Sequence, residues 1–297
     1  MTVSELIEWY WDGLTCKCPH SVESQSKNVS HVLGKRDAAT LTTQDLLDYR
    51  QIRRTHTKGP NTKATIKDST INRELGYLRA AVKKALACEI LIRQPNWKAG
   101  MAPEPPPREG MITLEQLETL LDCLLSHNAD AVEFMFWTGW RKRAVLDLEW
   151  PTVNWSGEWV RLPGVSSKNG HPVQYPLEGA VREILERRRG VSQWARQTVP
   201  FIFHRDGERI DGFRRNWATA ARHAGLVGIH IHDLRRSFVD HMLNLPTPIP
   251  EKVVMELCGM RTRSILDRYH IVRREALKMA VSHAAMDRRN GVEKKSG

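Results

Sequence analysis

Near the end of the sequence, GMRTRSILDRYHIV (residues 259–272) sets Tyr269 among Arg261, Arg263, Arg268 and His270. A tyrosine in such company is either a half-buried ring with charged neighbours or a phenol held where a phosphate will lie. Three other stretches bear on the choice: TGWRKR with Arg141, SSKNGH with Lys168, and HDLRR with His232 and Arg235. A phosphodiester under attack by an oxygen nucleophile gathers negative charge on its non-bridging oxygens. Planar guanidinium forks match two such oxygens better than an ammonium point charge does, which suits Arg141 and Arg235. His232 precedes Arg235 by three residues, so a helix would turn both toward one side, and imidazole moves a proton near neutral pH. A departing oxygen also needs a proton, and a lysine whose pKa is depressed by nearby cations can supply one, a role open to Lys168. Taken singly, each residue has a structural use as well. Arg141 could pair with nearby acids, His232 could be satisfied in a core, Lys168 could be an ordinary turn lysine, and Tyr269 could simply pack its ring.

These side chains need elements to hold them. DSTINRELGYLRAAVKKALACEIL places Ile71, Leu75, Leu78, Val82, Ala85 and Leu86 on one helical stripe, with Asp68, Ser69 and Thr70 offering N-cap oxygens. Arg73, Arg79, Lys83 and Lys84 fall largely off that stripe, and the preceding loop RRTHTKGPNTKATIK, which contains Lys63, is basic and free of acids. Together they make a candidate phosphate-tracking surface, in which Lys63 and Arg73 are the candidate DNA contacts; a solvated polar face is the plainer alternative. The prolines of RQPNWKAGMAPEPPPREG (residues 93–110) cannot continue a helix and favour an extended connection. The expected organisation is a helical domain over residues 1–100, a proline-rich linker over 101–110, and a second domain over 111–297. There TLEQLETLLDCLL opens with a capping box, Thr113 with Gln116, and the helix ADAVEFMFW stops at Thr138-Gly139. EWVRLP and PVQYPL flank GVSSKNGH, where an Asn-Gly pair between short extended runs signals a hairpin with Lys168 beside its turn. Helical patterns resume in EGAVREILERRR, GFRRNWATAARHAG, HDLRRSFVDHMLN, PEKVVMELCG and REALKMAVSHAAM, with a short FIFH strand between. The fold expected is mostly α with a small antiparallel β-sheet.

Composition narrows the partners. The chain of 297 residues carries 45 Lys+Arg against 34 Asp+Glu, a formal charge of +11 that favours a polyanion. Residues 1–107 hold 16 basic and 11 acidic side chains, leaving 29 and 23 for the rest, so both halves are positive and could share one long ligand. Cys16, Cys18, Cys88, Cys123 and Cys258 form an odd, scattered set, and MTVSELIEWYWDG has acids where a secretory signal would be basic and then apolar. A reduced, cytoplasmic protein is expected. No stretch is apolar for long enough to cross a bilayer, so no membrane role is expected. CKCPH (Cys16, Cys18, His20) lacks the second ligand pair of a structural zinc site, and neither a Walker-type loop nor another metal signature occurs; no metal and no cofactor are expected.

In order along the chain, TGWRKRAVLDLEW, SSKNGHPVQYPL, IHDLRRSF and ELCGMRTRSILDRYHIV resemble the Arg, Lys, His-x-x-Arg and Tyr boxes of the tyrosine recombinases, or phage integrases, over about residues 110–285. The helix TINRELGYLRAAVKKA and the proline-rich break after it resemble that family's core-binding domain and linker. The resemblance implies a catalytic domain over 111–297 and a site-specific DNA recombinase that cuts and rejoins strands. Tyr269 would attack the scissile phosphate to give a 3′-phosphotyrosine and a free 5′-hydroxyl. Arg141 and Arg235 would hold the phosphate, His232 would assist proton transfer, and Lys168 would protonate the leaving oxygen. It further implies a bacterial or phage-encoded protein acting on double-stranded DNA as a homotetramer across two sites, with a C-terminal helix near 275–288 docking on a neighbour and a DNA-bending accessory protein as a further partner.

Two departures stand out. The family commonly has an acid three positions after the first arginine, where this chain has Ala144, and a histidine or tryptophan where it has Met260. Methionine cannot donate a hydrogen bond to a phosphate oxygen, so the resemblance implies either slow cleavage or a donor supplied by Arg261 or Arg263. The rival readings are a type IB topoisomerase-like nicking and resealing enzyme, a non-catalytic DNA-binding regulator on the same fold, and an RNA-binding helical protein.

Overall fold

Thr2, Thr42 and Thr113 start helices by one device. Each hydroxyl accepts the backbone N–H three residues on, while Glu5, Asp45 and Gln116 at those positions reach back to the cap's own N–H. The computed structural model of the chain describes residues 1–13, 19–57, 59, 62–104, 106, 110–164, 170–194, 199–247, 249–267, 269 and 281. It divides between Pro106 and Pro107 into two compact units. Among the described residues, no helix is long and apolar enough to cross a membrane.

The first unit is helical: α1 (Val3–Asp12), α2 (Pro19–Leu33), α3 (Thr43–Thr55), α4 (Asp68–Ala87) and the short α5 (Trp97–Gly100). The stripe of α4 is its core face, with Ile71, Leu75, Leu78, Val82 and Ala85 buried against Leu6, Val29 and Leu46. The start of α4 differs from the expectation. Lys67 occupies the cap position without a side-chain bond, and Asp68, already in the first turn, grips the Arg54 guanidinium with both oxygens at 2.8 and 2.7 Å. A carboxylate there is favoured by the helix dipole as well as by its arginine.

Beneath that surface lies a buried polar network. Glu74, only 1% exposed, accepts from Tyr49 Oη at 2.7 Å, from Arg53 Nε and Nη2 at 2.9 and 2.7 Å, and from Asn28 Nδ2 at 2.8 Å. It ties α2, α3 and α4 together. The stretch read from sequence as a basic loop instead begins inside the last turn of α3 with two committed arginines, Arg53 inside and Arg54 on Asp68, because the acids that neutralise them come from the following helix. Lys63 and Arg73 are exposed.

The second unit contains α6 (Leu114–Asp122), α7 (Ser126–Thr138), α8 (Lys142–Leu146), β1 (Val153–Asn154), β2 (Trp159–Leu162), β3 (Val173–Pro176), α9 (Gly179–Gln193), β4 (His204–Arg205), β5 (Glu208–Arg209), α10 (Arg214–His223), α11 (Asp233–Leu243), α12 (Glu251–Cys258) and α13 (Arg263–Leu266). The architecture is mostly α with small antiparallel sheets, one ordered β1-β2-β3 and one β4-β5. Its main core gathers Phe134, Phe136, Leu146, Val160, Ile184 and Phe203, and a smaller cluster lies around Phe238, Val254 and Leu266.

The hairpin is present, its two strands lying within the runs that flank GVSSKNGH, one residue in from each end. The β2–β3 ladder ends at Leu162 opposite Val173, so residues 163–172 form the connection. Pro163 and Pro172 flank that last pair, and proline has no N–H to extend a ladder. The FIFH strand is displaced: β4 begins at its last residue, and Phe201 forms an isolated bridge with Glu149. The helix expected from REALKMAVSHAAM, and with it the C-terminal helix near 275–288, lies outside the described residues except for Val281.

Candidate active site

Two helices of the second unit end at a glycine in the left-handed region, Gly139 after α7 (φ +63°) and Gly259 after α12 (φ +66°). A side chain would be strained at both, and neither has room for one. A Cβ on Gly139 would stand 2.6 Å from Phe238 Cδ1, and one on Gly259 2.6 Å from Val173 Cγ2. These terminations leave backbone carbonyls unsatisfied by their own helices. Arg235 takes them up: its Nη1 donates to Gly139 O at 2.6 Å and to Cys258 O at 2.8 Å. The carbonyl ends of α7 and α12 thus hold a guanidinium that is 2% exposed, with partial negative charge on its buried side. Arg235 Nε and Nη2 are buried and have no hydrogen-bond partner among the described residues.

Burial, and beyond it the positive charge of Arg141, draws the Arg235 pKa downward, yet an arginine stays protonated in a protein. The adjoining Cys258 thiol is pushed up to about 12 by burial, so it stays neutral beside the two arginines. Arg141 occupies the cap position of α8 with extended backbone, just past the Gly139 turn. Among the described residues its side chain makes no ion pair or hydrogen bond, while its carbonyl accepts the Val145 N–H at 3.0 Å.

His232 caps α11, one helical turn before Arg235. Its Nε2 lies 2.8 Å from Tyr269 Oη, and the two rings meet edge to face with centroids 5.6 Å apart. Desolvation of the imidazole, followed by the like charges of Arg235 and Arg141, holds the His232 pKa below the ordinary histidine value, so the ring is neutral and can accept a proton. Tyr269 is half-buried, follows α13 with its N–H on Leu266 O at 2.7 Å, and rests its ring on the smaller cluster. The guanidinium carbons of Arg235 and Arg236 stand 5.6 and 6.0 Å from the centre of that ring.

Of the residues singled out for catalysis, Arg141, His232, Arg235 and Tyr269 come together here. Lys168 lies outside the described residues. The strands that bracket it are anchored near the site, with Tyr175 Oη of β3 bonded to Trp137 O at 2.7 Å and Val173 against Gly259. Among the described residues there is no cluster of acids, histidines and cysteines fit for a metal; the Cys16, Cys18 and His20 side chains lie outside them.

The Ala144 and Met260 departures have a structural setting. Ala144 is buried in the main core, and Met260, 5% exposed, packs with Phe238, Val239 and Leu266. Of the two arginines that could supply the missing donor, Arg263 is tied to Glu251 at 3.0 Å, while Arg261 lines an open groove with Met260 and His171. Arg236 and the two helix-end carbonyls had no role in the sequence reading. Arg236 was visible there only as the arginine next to Arg235, and the carbonyls only through the glycines after two helices.

The profile of the Phage integrase family matches residues 111–275. The integrase of Salmonella phage P22 is 23% identical over 151 residues, a match that takes in 46% of this chain and spans 37% of that curated relative's length. Among solved structures, the Tn1549 transposon integrase (aa 82–397) in complex with circular intermediate DNA has a TM-score of 0.73 at 13% identity, covering 95% of this chain and 99% of that one. A lambda integrase (75–356) dimer bound to a COC′ core site gives 0.71 at 16% identity, covering 92% and 97%. A lambda integrase tetramer bound to a Holliday junction gives 0.70 at 16%, covering 91% and 78%. These structural likenesses bear on the fold.

Proposed function

Since this chain belongs to the phage integrase family, we propose that it is a site-specific DNA recombinase in which Tyr269 cuts and rejoins strands through a 3′-phosphotyrosine. The observation that carries the reading is the His232–Tyr269 hydrogen bond of 2.8 Å beside a buried Arg235 whose Nε and Nη2 have no hydrogen-bond partner among the described residues. Tyr269 Oη attacks the scissile phosphorus, and its proton passes toward neutral His232. A new P–O bond forms to the tyrosine while the bond to the 5′-oxygen breaks. Arg235 Nε and Nη2, together with Arg141, receive the charge that builds on the non-bridging oxygens, in a site already organised before substrate arrives. Lys168 protonates the departing 5′-oxygen. The reverse attack by a 5′-hydroxyl of another strand releases Tyr269 and completes the exchange.

Double-stranded DNA carrying recombination sites is the partner under this reading, with four protomers on two sites and a bending protein as an accessory. The first unit serves as the core DNA-binding domain, where exposed Lys63 and Arg73 contact the phosphate backbone.

The test is covalent trapping. Wild type and Tyr269→Phe are incubated with a nicked suicide duplex built on a sequence selected for binding from a randomised pool, then run on a denaturing gel. An adduct in wild type that is absent from the Phe variant supports the reading. Binding without an adduct points to a regulator on the same fold, and supercoil relaxation without recombinants points to nicking and resealing.

A further inference from the structure

Arg235 and Arg236 are consecutive on α11, yet their guanidinium carbons lie at nearly equal distances from the Tyr269 ring centre, 5.6 and 6.0 Å. Arg235 spends Nη1 on the Gly139 and Cys258 carbonyls. Arg236 is 6% exposed, almost as deeply placed, and lies within cation–π range of the phenol. A desolvated cation near an aromatic ring is attracted by the ring's quadrupole more strongly than one in water. The attraction grows as the phenol gives up its proton, because the ring then carries part of a full negative charge.

We propose that Arg236 is a positioning residue for the nucleophile: it holds the Tyr269 ring in its attacking orientation and favours the charge that develops on it. The inference rests on Tyr269 being the nucleophile and adds a residue that acts through it. A pose fixed from three directions, by the edge of His232 and the charges of Arg235 and Arg236, leaves the ring less freedom than packing on the smaller cluster alone. An oriented reactant removes part of the entropic barrier to attack.

The test compares wild type with Arg236→Met, Arg236→Gln and Arg236→Lys. The readouts are the single-turnover rate of adduct formation at saturating protein, the Kd for the same duplex, and the 19F line of 3-fluorotyrosine at position 269, identified by its loss in Tyr269→Phe. Met and Gln should each lower the rate roughly thirtyfold, the size expected of a desolvated cation–π contact, with Kd within about twofold of wild type and an altered 19F line. Lys, which keeps the charge, should recover a large part of the rate. Should Met disturb folding, judged by its melting curve, Gln carries the same expectation.

A weakened Kd with an unchanged rate at saturation would make Arg236 a DNA contact and overturn the proposal. So would a normal rate and an unmoved 19F line. Absence of an adduct even from wild type would overturn the nucleophile reading itself, and this inference with it.

Discussion

His232 Nε2 and Tyr269 Oη stand 2.8 Å apart although 37 residues separate them in the chain. The imidazole that makes this contact is kept neutral by its own desolvation and by Arg235 and Arg141. The cations proposed to receive a phosphate therefore also keep the imidazole in the form that can accept a proton.

The pH dependence follows with a definite sign. A depressed histidine pKa means that His232 gives up its neutral form at a lower pH than an ordinary histidine would, so the acid limb of single-turnover adduct formation should lie below about pH 6.5. Arg141→Gln removes a like charge and should raise the His232 pKa. Side-chain NMR titration of the imidazole checks this, and an unmoved or lowered pKa would contradict it.

A related effect should appear in stability. His204 is 3% exposed, and burial followed by Arg188 lowers its pKa. The unfolded chain then binds the extra proton first, so this contribution is fully present above about pH 6.5 and is lost as pH falls toward the folded-state pKa. Melting temperature should decline between pH 7 and pH 5, and His204→Gln should flatten the decline.

Arg235→Lys keeps the charge but gives up the fork. An ammonium can satisfy the Gly139 and Cys258 carbonyls, yet it lacks further planar donors aimed at a phosphate. Adduct formation should fall by about 10²–10³-fold, while duplex affinity changes far less. An equal loss in both would assign Arg235 to binding alone.

Gly139→Ala tests the turn that delivers Arg141. The new Cβ would meet Phe238 Cδ1 at 2.6 Å and Cys258 Sγ at 3.0 Å, at a backbone angle disfavoured for alanine. Denaturant titration should show a loss of roughly 2–4 kcal/mol.

Glu74→Ala strands Arg53 in the interior of the first unit, where the carboxylate is 1% exposed. Removing one partner of a buried pair costs about 3–5 kcal/mol. Hydrogen exchange at the α4 amides in the full chain should accelerate accordingly.

Much of this molecule is written in local pattern. The threonine cap at position 113, the apolar stripe of α4, the glycine stop after Thr138 and the order of the Arg, His-x-x-Arg and Tyr boxes can all be read from the sequence. Each depends on residues within a turn or two of one another, or on side-chain type alone. What the sequence left open depended on partners far along the chain. Arg235 is held by a carbonyl 96 residues away, and Arg53 was read as open surface because the carboxylate that buries it lies 21 residues on, in another helix. Whether Tyr269 packs its ring or presents its hydroxyl was likewise undecidable from its neighbours. Tertiary packing does both at once, seating the ring on the Phe238 cluster and placing its oxygen on His232, because a contact across 37 residues is made by the fold and leaves no periodic trace in the sequence.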